Sequence, residues 1–378
     1  MIISSIAASK IIKNRKIPIN IKQLMLTILF VIVLSTILYC FKSQGDISFN
    51  LRDENVFSIP NHINLANYFP QDNLTGTKPT IFCIIKTHPK NIEIKKTLNV
   101  FLVWGHKCDN YRFVTLLPDH IRSDKSSLET VEVFDQFYMI QPKGLSVEDH
   151  ANLTLKLYYS MVYVYEKFPN FDWYYIVDDD AYVNIGNLKE FLKYKPSNEM
   201  ITYGYNFKHI VKDGYHSGGP GYVLSNAAFT TISKALNEDI TNCPNTGIDD
   251  VDINQCVRKY NGKKGKSLDE KGREKWLVFN LTTHFTGSYP GWLIEAAENP
   301  PKGGLDCCSD SLIAVHYMTP RDVFRLDLAI EIQKNVIRLY DQYLKLGKKV
   351  TFKNIIKNYY LLEDIEYDEN KYKDLIKY

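Results

Sequence analysis

Three consecutive carboxylates, Asp178, Asp179 and Asp180, are the residues of this sequence best suited to chemistry. They directly follow the apolar run 173–177 (WYYIV), which has the composition of a buried strand. Adjacent carboxylates repel one another unless a cation compensates their charge, and such oxygen ligands select a hard ion like Mn²⁺ or Mg²⁺. A solvated acidic turn is the alternative, which the apolar strand disfavours. The pattern therefore predicts a metal site at which Asp180 and a nucleotide diphosphate share the cation.

Other segments could complete this site. The run 214–225 (GYHSGGPGYVLS) places glycines where a backbone must turn tightly or approach a ligand closely, although alone it is an ordinary loop. Asp249 and Asp250 form a second carboxylate pair. His316 lies in a strand-like apolar run, where a lone histidine is usually a core residue. Beside the triplet, it could instead supply the nitrogen ligand that Mn²⁺ accepts more readily than Ca²⁺ or Mg²⁺.

The elements that must position these residues alternate between strands and helices. Apolar, β-branched runs predict strands at 80–86, 111–117 and 173–177, and helical spacing predicts a helix over 153–168 that ends before Pro169. This alternation favours an α/β fold with a parallel sheet, in which ligands bind at the carboxyl ends of the strands. An amphipathic helix without obvious chemistry is predicted over 323–346.

Length and charge narrow the class of protein. The chain has 378 residues, 45% hydrophobic and 24% charged, which indicates a folded globular protein. Its net charge of +3 arises from six basic residues, without any acid, in the first 42 positions. The rest is mildly acidic, which argues against nucleic acid as a partner, because phosphate binding needs a clustered cationic face.

The N-terminal region predicts a membrane anchor. Residues 24–41 (LMLTILFVIVLSTILYCF) carry no charge and are long enough to cross a hydrocarbon core of roughly 30 Å. Five basic residues precede this run, so the positive-inside rule predicts type II topology, with residues 1–23 in the cytosol. A cleaved signal peptide is the less favoured alternative. The Pro-broken segment 42–79 is predicted to be a stem, and order is predicted to begin at Thr80.

Sequons and cysteines support a lumenal body. Asn73, Asn152 and Asn280 each begin an Asn-Leu-Thr glycosylation sequon. Outside the predicted span there are six cysteines, an even number that predicts up to three disulfides in an oxidising compartment. About fifteen pairings are open.

The order of these motifs resembles the core 1 β1,3-galactosyltransferases over residues 80 to about 330. The wider family includes fringe and the β1,3-N-acetylglucosaminyltransferases. The adjacent Cys307-Cys308 pair, followed by Ser309-Asp310, is the feature that narrows the match to the core 1 branch. The motifs that carry the resemblance are 104–108 (WGHKC), 172–173 (DW), 178–183 (DDDAYV), 217–225 (SGGPGYVLS), 248–251 (IDDV), Cys256, 307–310 (CCSD) and 316–317 (HY).

The resemblance implies a GT-A fold, a Rossmann-like nucleotide-diphospho-sugar transferase domain over 80–330, followed by a helical extension over 331–378. It also implies Mn²⁺ as cofactor, UDP-galactose as donor and an inverting mechanism. By matching position, Asp178, Asp180 and His316 would hold the metal.

The resemblance assigns the remaining roles as follows. Thr87 and Trp104 would shape the uridine pocket, and Asp179 and Gly219 would contribute to donor binding. Asp250 would be the base that removes the acceptor hydroxyl proton, with Asp249 predicted to cap the following helix and to be the second candidate base. The acceptor would meet the side chains Trp292 and Tyr317.

Three positions depart from the family. His88 replaces a glycine in the usual Thr-Gly-Pro, and Asn254 stands where a glycine is normal. In 292–300 (WLIEAAENP), Trp292 survives while the family's tyrosines do not.

The leading hypothesis is galactosyl transfer to Ser/Thr-linked GalNAc of glycoproteins, by an enzyme of the Golgi membrane. A fringe-like relative with another donor or acceptor stays open, and so does a homodimer. A noncatalytic lumenal chaperone or a membrane-tethered lectin would have no reason to retain the carboxylate triplet.

Overall fold

The computed structural model describes residues 78–118, 121, 129–344 and 349–362, with side chains omitted for 339–344. These residues belong to one compact unit spanning Leu74–Tyr367. Within them, no helix combines the length and apolarity that a membrane crossing requires. The predicted cytosolic tail, membrane span and nearly all of the stem lie outside the described residues, as does Asn73.

A large mixed sheet, a smaller sheet and a hairpin form the β structure. The large sheet has the strand order β11-β7-β10-β5-β1-β2-β4-β3, the small sheet β12-β13-β6, and the hairpin pairs β8 with β9. The strands are β1 Ile81–Lys86, β2 Asn110–Val114, β3 Val131–Phe134, β4 Tyr138–Gln141, β5 Trp173–Asp178, β6 Tyr182–Val183, β7 Ile201–Gly204, β8 Asn206–Phe207, β9 Tyr215–His216, β10 Tyr222–Ser225, β11 Lys263–Lys264, β12 Trp276–Leu277 and β13 Ala314–Val315.

Helices cover the large sheet. The α-helices are α1 Pro89–Glu93, α2 Lys96–Val103, α3 Leu153–Lys167, α4 Ile185–Leu192, α5 Asn226–Glu238, α6 Asp249–Lys259, α7 Leu281–Thr286, α8 Gly291–Ala296, α9 Pro320–Leu344 and α10 Phe352–Leu361. Short 3₁₀ turns lie at Gly105–Lys107, His150–Asn152, Ile240–Asn242 and Gly304–Asp306.

The centre of the large sheet is parallel, as the alternation of strands and helices predicts. Strands β5, β1, β2 and β4 run in one direction. The predicted strands and the helix over 153–168 are confirmed within three residues at each end. The edges differ from a purely parallel sheet, because β10 pairs antiparallel with both β5 and β7, and β3 with β4. The small sheet and the hairpin are outside the sequence prediction.

Alternation along β1 gives the sheet two buried faces. Ile81, Cys83 and Ile85 join one apolar cluster, which also takes side chains from α2, α9 and α10. Phe82 and Ile84 join the other, which takes side chains from α3, α5 and α6. With both faces covered, the strand ends are where polar groups can meet a ligand.

The six described cysteines form three disulfides, as the even count predicts. The pairs are Cys83–Cys108, Cys243–Cys256 and Cys307–Cys308. The first links β1 to the residue after the 3₁₀ turn Gly105–Lys107, just before β2. The second links the residue after the 3₁₀ turn Ile240–Asn242 to α6.

The C-terminal helices pack as part of this unit. α9 runs unbroken through residue 330, so the domain boundary predicted there falls inside a helix. Phe352, Ile355 and Tyr359 of α10 belong to the same apolar cluster as β1. The Phe352 N–H also donates to the Asp310 carboxylate at 2.7 Å.

Candidate active site

Asp178, Asp180 and His316 meet at the carboxyl end of β5. Their ligand atoms all lie within 4.8 Å of one another. His316 Nε2 is 2.9 Å from Asp180 Oδ1 and 4.0 Å from Asp178 Oδ2. The structure therefore brings together the three residues that the family resemblance assigns to the metal, although 136 positions separate Asp180 from His316.

The small sheet is the reason for this convergence. Val315 of β13 pairs antiparallel with Tyr182 of β6, so His316 is delivered beside the turn that carries Asp180. The Met318 N–H donates to the Asp180 carbonyl at 2.8 Å and closes the same turn. A two-residue strand pairing thus fixes the separation of the two candidate ligands.

His316 is oriented by its other ring nitrogen. Nδ1 lies 3.3 Å from the Val278 carbonyl oxygen, a contact that favours a proton on Nδ1 and turns Nε2 toward Asp180, where a bound cation would take the place of the Nε2 proton. Gly219 lies directly against the His316 ring, where an added Cβ would come 2.0 Å from Cε1. The glycine predicted to bind the donor is therefore required for His316 to occupy this position.

Two carboxylates and an imidazole fit a divalent cation such as Mn²⁺. Burial raises the pKa of Asp178, although Lys86 and His316 oppose that effect. Burial would also raise the pKa of Asp180, but the hydrogen bond and charge of His316 outweigh it and lower the pKa. Asp180 is therefore ionised at neutral pH and able to act as a ligand.

Lys86 is a central residue that sequence analysis missed. It ends β1 opposite Asp178 in the sheet register, and its Nζ lies 3.0 Å from Asp178 Oδ1 and 2.5 Å from Asp249 Oδ2. Burial opposes the charged form of Lys86, but the two carboxylates outweigh it and raise its pKa. In the sequence, the feature that could have indicated its role is a single lysine at the end of an apolar strand. Lys86 joins the metal carboxylates to the start of α6.

Asp249 does not cap α6, contrary to the prediction. The cap position is Ile248, which makes no capping side-chain bond, and Asp249 is the first helical residue. Its carboxylate instead pairs with Lys86. An opposite charge within the protein interior is a stronger attraction for this carboxylate than a hydrogen bond from an amide of the first helical turn.

Asp250 occupies a different environment from its neighbour. The Gly218 N–H donates to Asp250 Oδ2 at 2.9 Å, and the Val251 N–H donates to Oδ1 at 2.8 Å. Burial, followed by repulsion from Asp249, raises the pKa of Asp250 to about 6. A carboxylate with such a pKa is poised to take a proton near neutral pH.

Gly218 and Gly219 join the base candidate to the metal candidates. An added Cβ at Gly218 would lie 3.1 Å from Asp250 Cβ, and the adjacent Gly219 contacts the His316 ring. Two successive glycines thus separate Asp250 from a metal ligand. This close approach explains why glycines occupy these two positions, since a side chain would not fit there.

Asp179 turns away from its two neighbours. Its side chain is 5% exposed and accepts hydrogen bonds from Thr87 Oγ1 and Asn91 Nδ2, while Lys96 Nζ lies 3.5 Å away. These bonds occupy the carboxylate inside the protein. Asp179 and Thr87 therefore hold the triplet to α1 and α2, and the part in donor binding that the resemblance implies for them stays a prediction.

Trp104 also has a supporting position. It is fully buried, and its Nε1–H donates to the Ala181 carbonyl at 2.9 Å. A ring without exposed surface cannot line a uridine pocket in this conformation, so that prediction is corrected. Its hydrogen bond fixes the residue directly after Asp180.

An exposed aromatic surface extends from His316. Tyr317 stacks on the His316 ring with centroids 3.9 Å apart, and Phe279 stacks on Tyr317 at 5.7 Å. Trp292 lies 5.8 Å from Phe279. Trp292 and Tyr317 are 54% and 55% exposed. The two residues predicted to meet the acceptor thus share one surface, which Phe279, absent from the sequence prediction, makes continuous.

Two of the family departures are accommodated locally. His88 caps α1, since its Nδ1 accepts a hydrogen bond from the Lys90 N–H at 3.1 Å. Asn254 is buried in α6 and its Nδ2 donates to the Asp250 carbonyl at 2.8 Å. Asn254 therefore supports the helical turn that carries the base candidate.

Comparison with known proteins agrees with this geometry. A family model described as Galactosyltransferase matches residues 145–213, which include the carboxylate triplet. Glycoprotein-N-acetylgalactosamine 3-beta-galactosyltransferase 1 of Xenopus laevis is 28% identical over 290 residues, which cover 74% of this chain and 75% of the frog protein.

Two more distant similarities were found. Chondroitin sulfate synthase 3 of Homo sapiens is 24% identical over 127 residues, 31% of this chain and 14% of the human protein. A solved glycosyltransferase involved in the glycosylation of the major capsid of PBCV-1 is 15% identical, with a TM-score of 0.35, and covers 67% of this chain and 100% of its own. The family match and the frog relative confirm the predicted resemblance, and this chain is related to the core 1 β1,3-galactosyltransferases.

Proposed function

We propose that this chain is an inverting, Mn²⁺-dependent glycosyltransferase of the GT-A type. It transfers galactose from UDP-galactose, in β1,3 linkage, to Ser/Thr-linked GalNAc of glycoproteins. The observation that carries the proposal is the convergence of two chemical groups on Gly218 and Gly219: the metal ligand His316 and the base candidate Asp250.

The donor end is built by Asp178, Asp180 and His316. A divalent cation bound there would stabilise negative charge on the departing diphosphate. His316 Nε2 is held toward the carboxylates by the contact of Nδ1 with the Val278 carbonyl. The ionised Asp180 and the Lys86-paired Asp178 supply the negative charge that a cation requires.

The acceptor hydroxyl is activated by Asp250. Its oxygen attacks the anomeric carbon of the donor, the bond from that carbon to the diphosphate oxygen breaks, and the hydroxyl proton passes to Asp250. UDP leaves with the bonding electron pair. A single displacement of this kind inverts the anomeric centre. Asp249 is held by Lys86, which leaves Asp250 as the carboxylate available for the proton.

The acceptor sugar packs on the aromatic surface of Phe279, Trp292 and Tyr317. Half-exposed aromatic rings offer apolar faces to the C–H groups of a sugar ring. The surface begins at His316, so an acceptor on it lies beside the metal ligands. The altered run 292–300 is the observation that favours the second candidate, a β1,3-transferase with another acceptor.

The proposed setting is the Golgi lumen, with the chain anchored as a type II membrane protein by residues 24–41. The uncharged run with basic residues before it supports this orientation. The three disulfides support an oxidising compartment. Asn152 and Asn280 would then be available to glycosylation enzymes.

The test is release of UDP and formation of product by the purified full-length chain with Mn²⁺. Donors would be UDP-galactose, UDP-GalNAc, UDP-GlcNAc and UDP-glucose, each offered with a GalNAc-peptide and with an acceptor lacking GalNAc. The proposal expects Mn²⁺-dependent transfer from UDP-galactose to the GalNAc-peptide. Transfer from another donor, or to the acceptor without GalNAc, would favour the second candidate. No transfer with any pair would refute both.

A further inference from the structure

A separate cavity of about 330 Å³ lies beside the β8–β9 hairpin, at the lower end of the range of about 300–1,000 Å³ for small-molecule pockets. It shares no lining residue with the candidate active site. The polar residues that line it and that matter for its chemistry are Asn206, Lys264, Ser267, Glu274, Glu298 and Asn299.

Two buried oxygen atoms at this cavity lack a hydrogen-bond partner among the described residues. They are Asn206 Oδ1 and Glu274 Oε2. The other carboxyl oxygen of Glu274 accepts a hydrogen bond from Asn299 Nδ2 at 3.2 Å. A buried polar atom without a partner is costly, so two at one cavity call for a ligand or water that satisfies them.

The cavity also offers donors. The Ser267 hydroxyl accepts a hydrogen bond from the Gly204 N–H at 3.1 Å, which leaves its own proton available. Lys264 Nζ pairs with Glu298 Oε1 at 2.9 Å and has further protons to donate. Glu298 is a half-exposed side chain, so the cavity reaches the surface on its side.

This mixture of hydrogen-bond donors and acceptors restricts the kind of ligand that the cavity can bind. An anion such as phosphate would meet Asn206 Oδ1, which can only accept a hydrogen bond, and the negative charge of Glu298. A metal ion would meet Lys264, and burial raises the pKa of Glu274 to about 8, so this carboxyl is protonated at neutral pH. Sugar hydroxyls both donate and accept hydrogen bonds, which suits acceptors and donors in one small cavity.

We propose that this cavity binds one pyranose ring of a saccharide, through hydrogen bonds to Asn206 and Glu274, at a site separate from the site of transfer. Asn206 precedes Phe207, whose ring lies 6.2 Å from Trp292. Because successive residues of a strand face opposite sides, the cavity and the acceptor surface lie on the two sides of the hairpin. A saccharide in the cavity would hold a glycan-bearing partner without occupying the reacting position. The inference does not depend on which sugar is transferred.

The test is saturation-transfer NMR on the purified full-length chain with D-galactose, D-glucose, GalNAc and GlcNAc as separate probes, and inorganic phosphate as a competitor. At least one sugar should show ring-proton signals that phosphate does not displace. Asn206→Leu and Glu274→Met, which each replace a polar side chain by an apolar one of similar size, should each weaken that sugar roughly tenfold, the usual scale for one lost hydrogen bond.

Two variants of the transfer site serve as controls. Asp180→Asn and Trp292→Ala should leave this sugar binding unchanged, so a failure of the proposed transferase activity would not affect the result. Asn206→Leu should fold normally, because Oδ1 has no partner to lose among the described residues, and it should retain wild-type turnover.

Three results would overturn the site. These are no signal from any of the four sugars, displacement of the signal by phosphate, or a signal that the two control variants abolish while Asn206→Leu and Glu274→Met leave it intact. A cavity filled by water alone would give the first of these.

Discussion

The donor end and the acceptor surface of this molecule are built in different ways. At the donor end, Asp178, Lys86 and Asp249 form a chain of opposite charges in which Lys86 and Asp249 are buried. At the acceptor surface, Trp292 and Tyr317 are more than half exposed and are held by ring contacts. The difference indicates a fixed site for a common donor chemistry beside a surface whose acceptor preference can change.

Energetics give the reason for the difference. Removing one member of a buried ion pair typically costs about 3–5 kcal/mol, because it leaves the other charge uncompensated. An aromatic contact contributes about 0.5–1.5 kcal/mol beyond its buried area. Substitutions at the donor end should therefore abolish activity, and those on the acceptor surface should adjust it.

The largest expected effect is that of Asp180→Asn. Loss of a charged metal ligand should lower Mn²⁺-dependent turnover by about 10³-fold or more, since several kcal/mol of charge stabilisation are at stake. His316→Ala should act in the same direction. Turnover is measured at saturating Mn²⁺, with Asp239→Asn as the control, because Asp239 is an exposed carboxylate that caps a short turn. Full activity in both ligand variants would show that the metal site is elsewhere.

The next largest effect distinguishes the two carboxylates of α6. Asp250→Asn should lower turnover by on the order of 10²-fold or more, with Mn²⁺ and donor affinity nearly unchanged. Asp249→Asn should mainly lower the free energy of unfolding, because Lys86 loses one of its two partners. Steady-state kinetics and thermal unfolding of both variants check this. The reverse pattern would exchange the two roles.

The pH profile of the wild type sharpens the same assignment. A base must be ionised to accept a proton, so the rate should fall as pH drops through the pKa of Asp250, about 6. The positive charge of a bound cation would move this acidic limb lower. The limb should disappear in Asp250→Asn. A limb that persists there would belong to another group.

Lys86→Met should destabilise the protein by about 3 kcal/mol in the absence of metal, because the buried Asp249 and the partly exposed Asp178 both lose their cation. Added Mn²⁺ should restore more stability to this variant than to the wild type, since it supplies positive charge at Asp178. The control is Lys107→Met, which breaks a more exposed pair with Asp327 and should cost less than about 1 kcal/mol. The free energy of unfolding of both variants is measured by denaturant unfolding. Equal losses in the two variants would show that the pairing of Lys86 with Asp178 and Asp249 is no more stabilising than an exposed ion pair.

The smallest effect is expected on the acceptor surface. Trp292→Ala should raise the KM for the acceptor by roughly threefold to tenfold, with the donor KM unchanged, because about one aromatic contact is lost. Ile294→Ala is a matched control, since Ile294 has the same 54% exposure on the same helix. If Trp292→Ala changed the donor KM instead, the division into two regions would be wrong.

The metal site could be located from the sequence because three carboxylates at the end of a buried strand repel one another unless a cation is bound. Which of these carboxylates are grouped at the metal site followed only from family resemblance, since composition cannot show that Asp179 turns inward while Asp178 and Asp180 do not. Trp104 was likewise associated with the donor by its position in a motif. In the structure that ring is fully buried. Its burial depends on how α2 packs, which the local sequence does not show.

Lys86 and Phe279 were missed for a related reason. Lys86 ends an apolar run, where a lysine also marks an ordinary strand end, and its partners come from β5 and α6. Phe279 lies between Trp292 and Tyr317 in space but not in a recognisable motif. Long-range pairing of strands sets both positions, so the periodicity of one segment could not predict them.

The central claim is that Asp178, Asp180 and His316 hold the cation that serves the donor. Anomalous diffraction at the manganese edge, from crystals of the protein soaked with Mn²⁺ and UDP, tests it most directly. We expect one strong peak about 2–2.6 Å from oxygens of Asp178 and Asp180 and from His316 Nε2. A peak bound elsewhere, or ordered UDP in the site without a manganese peak, would contradict it.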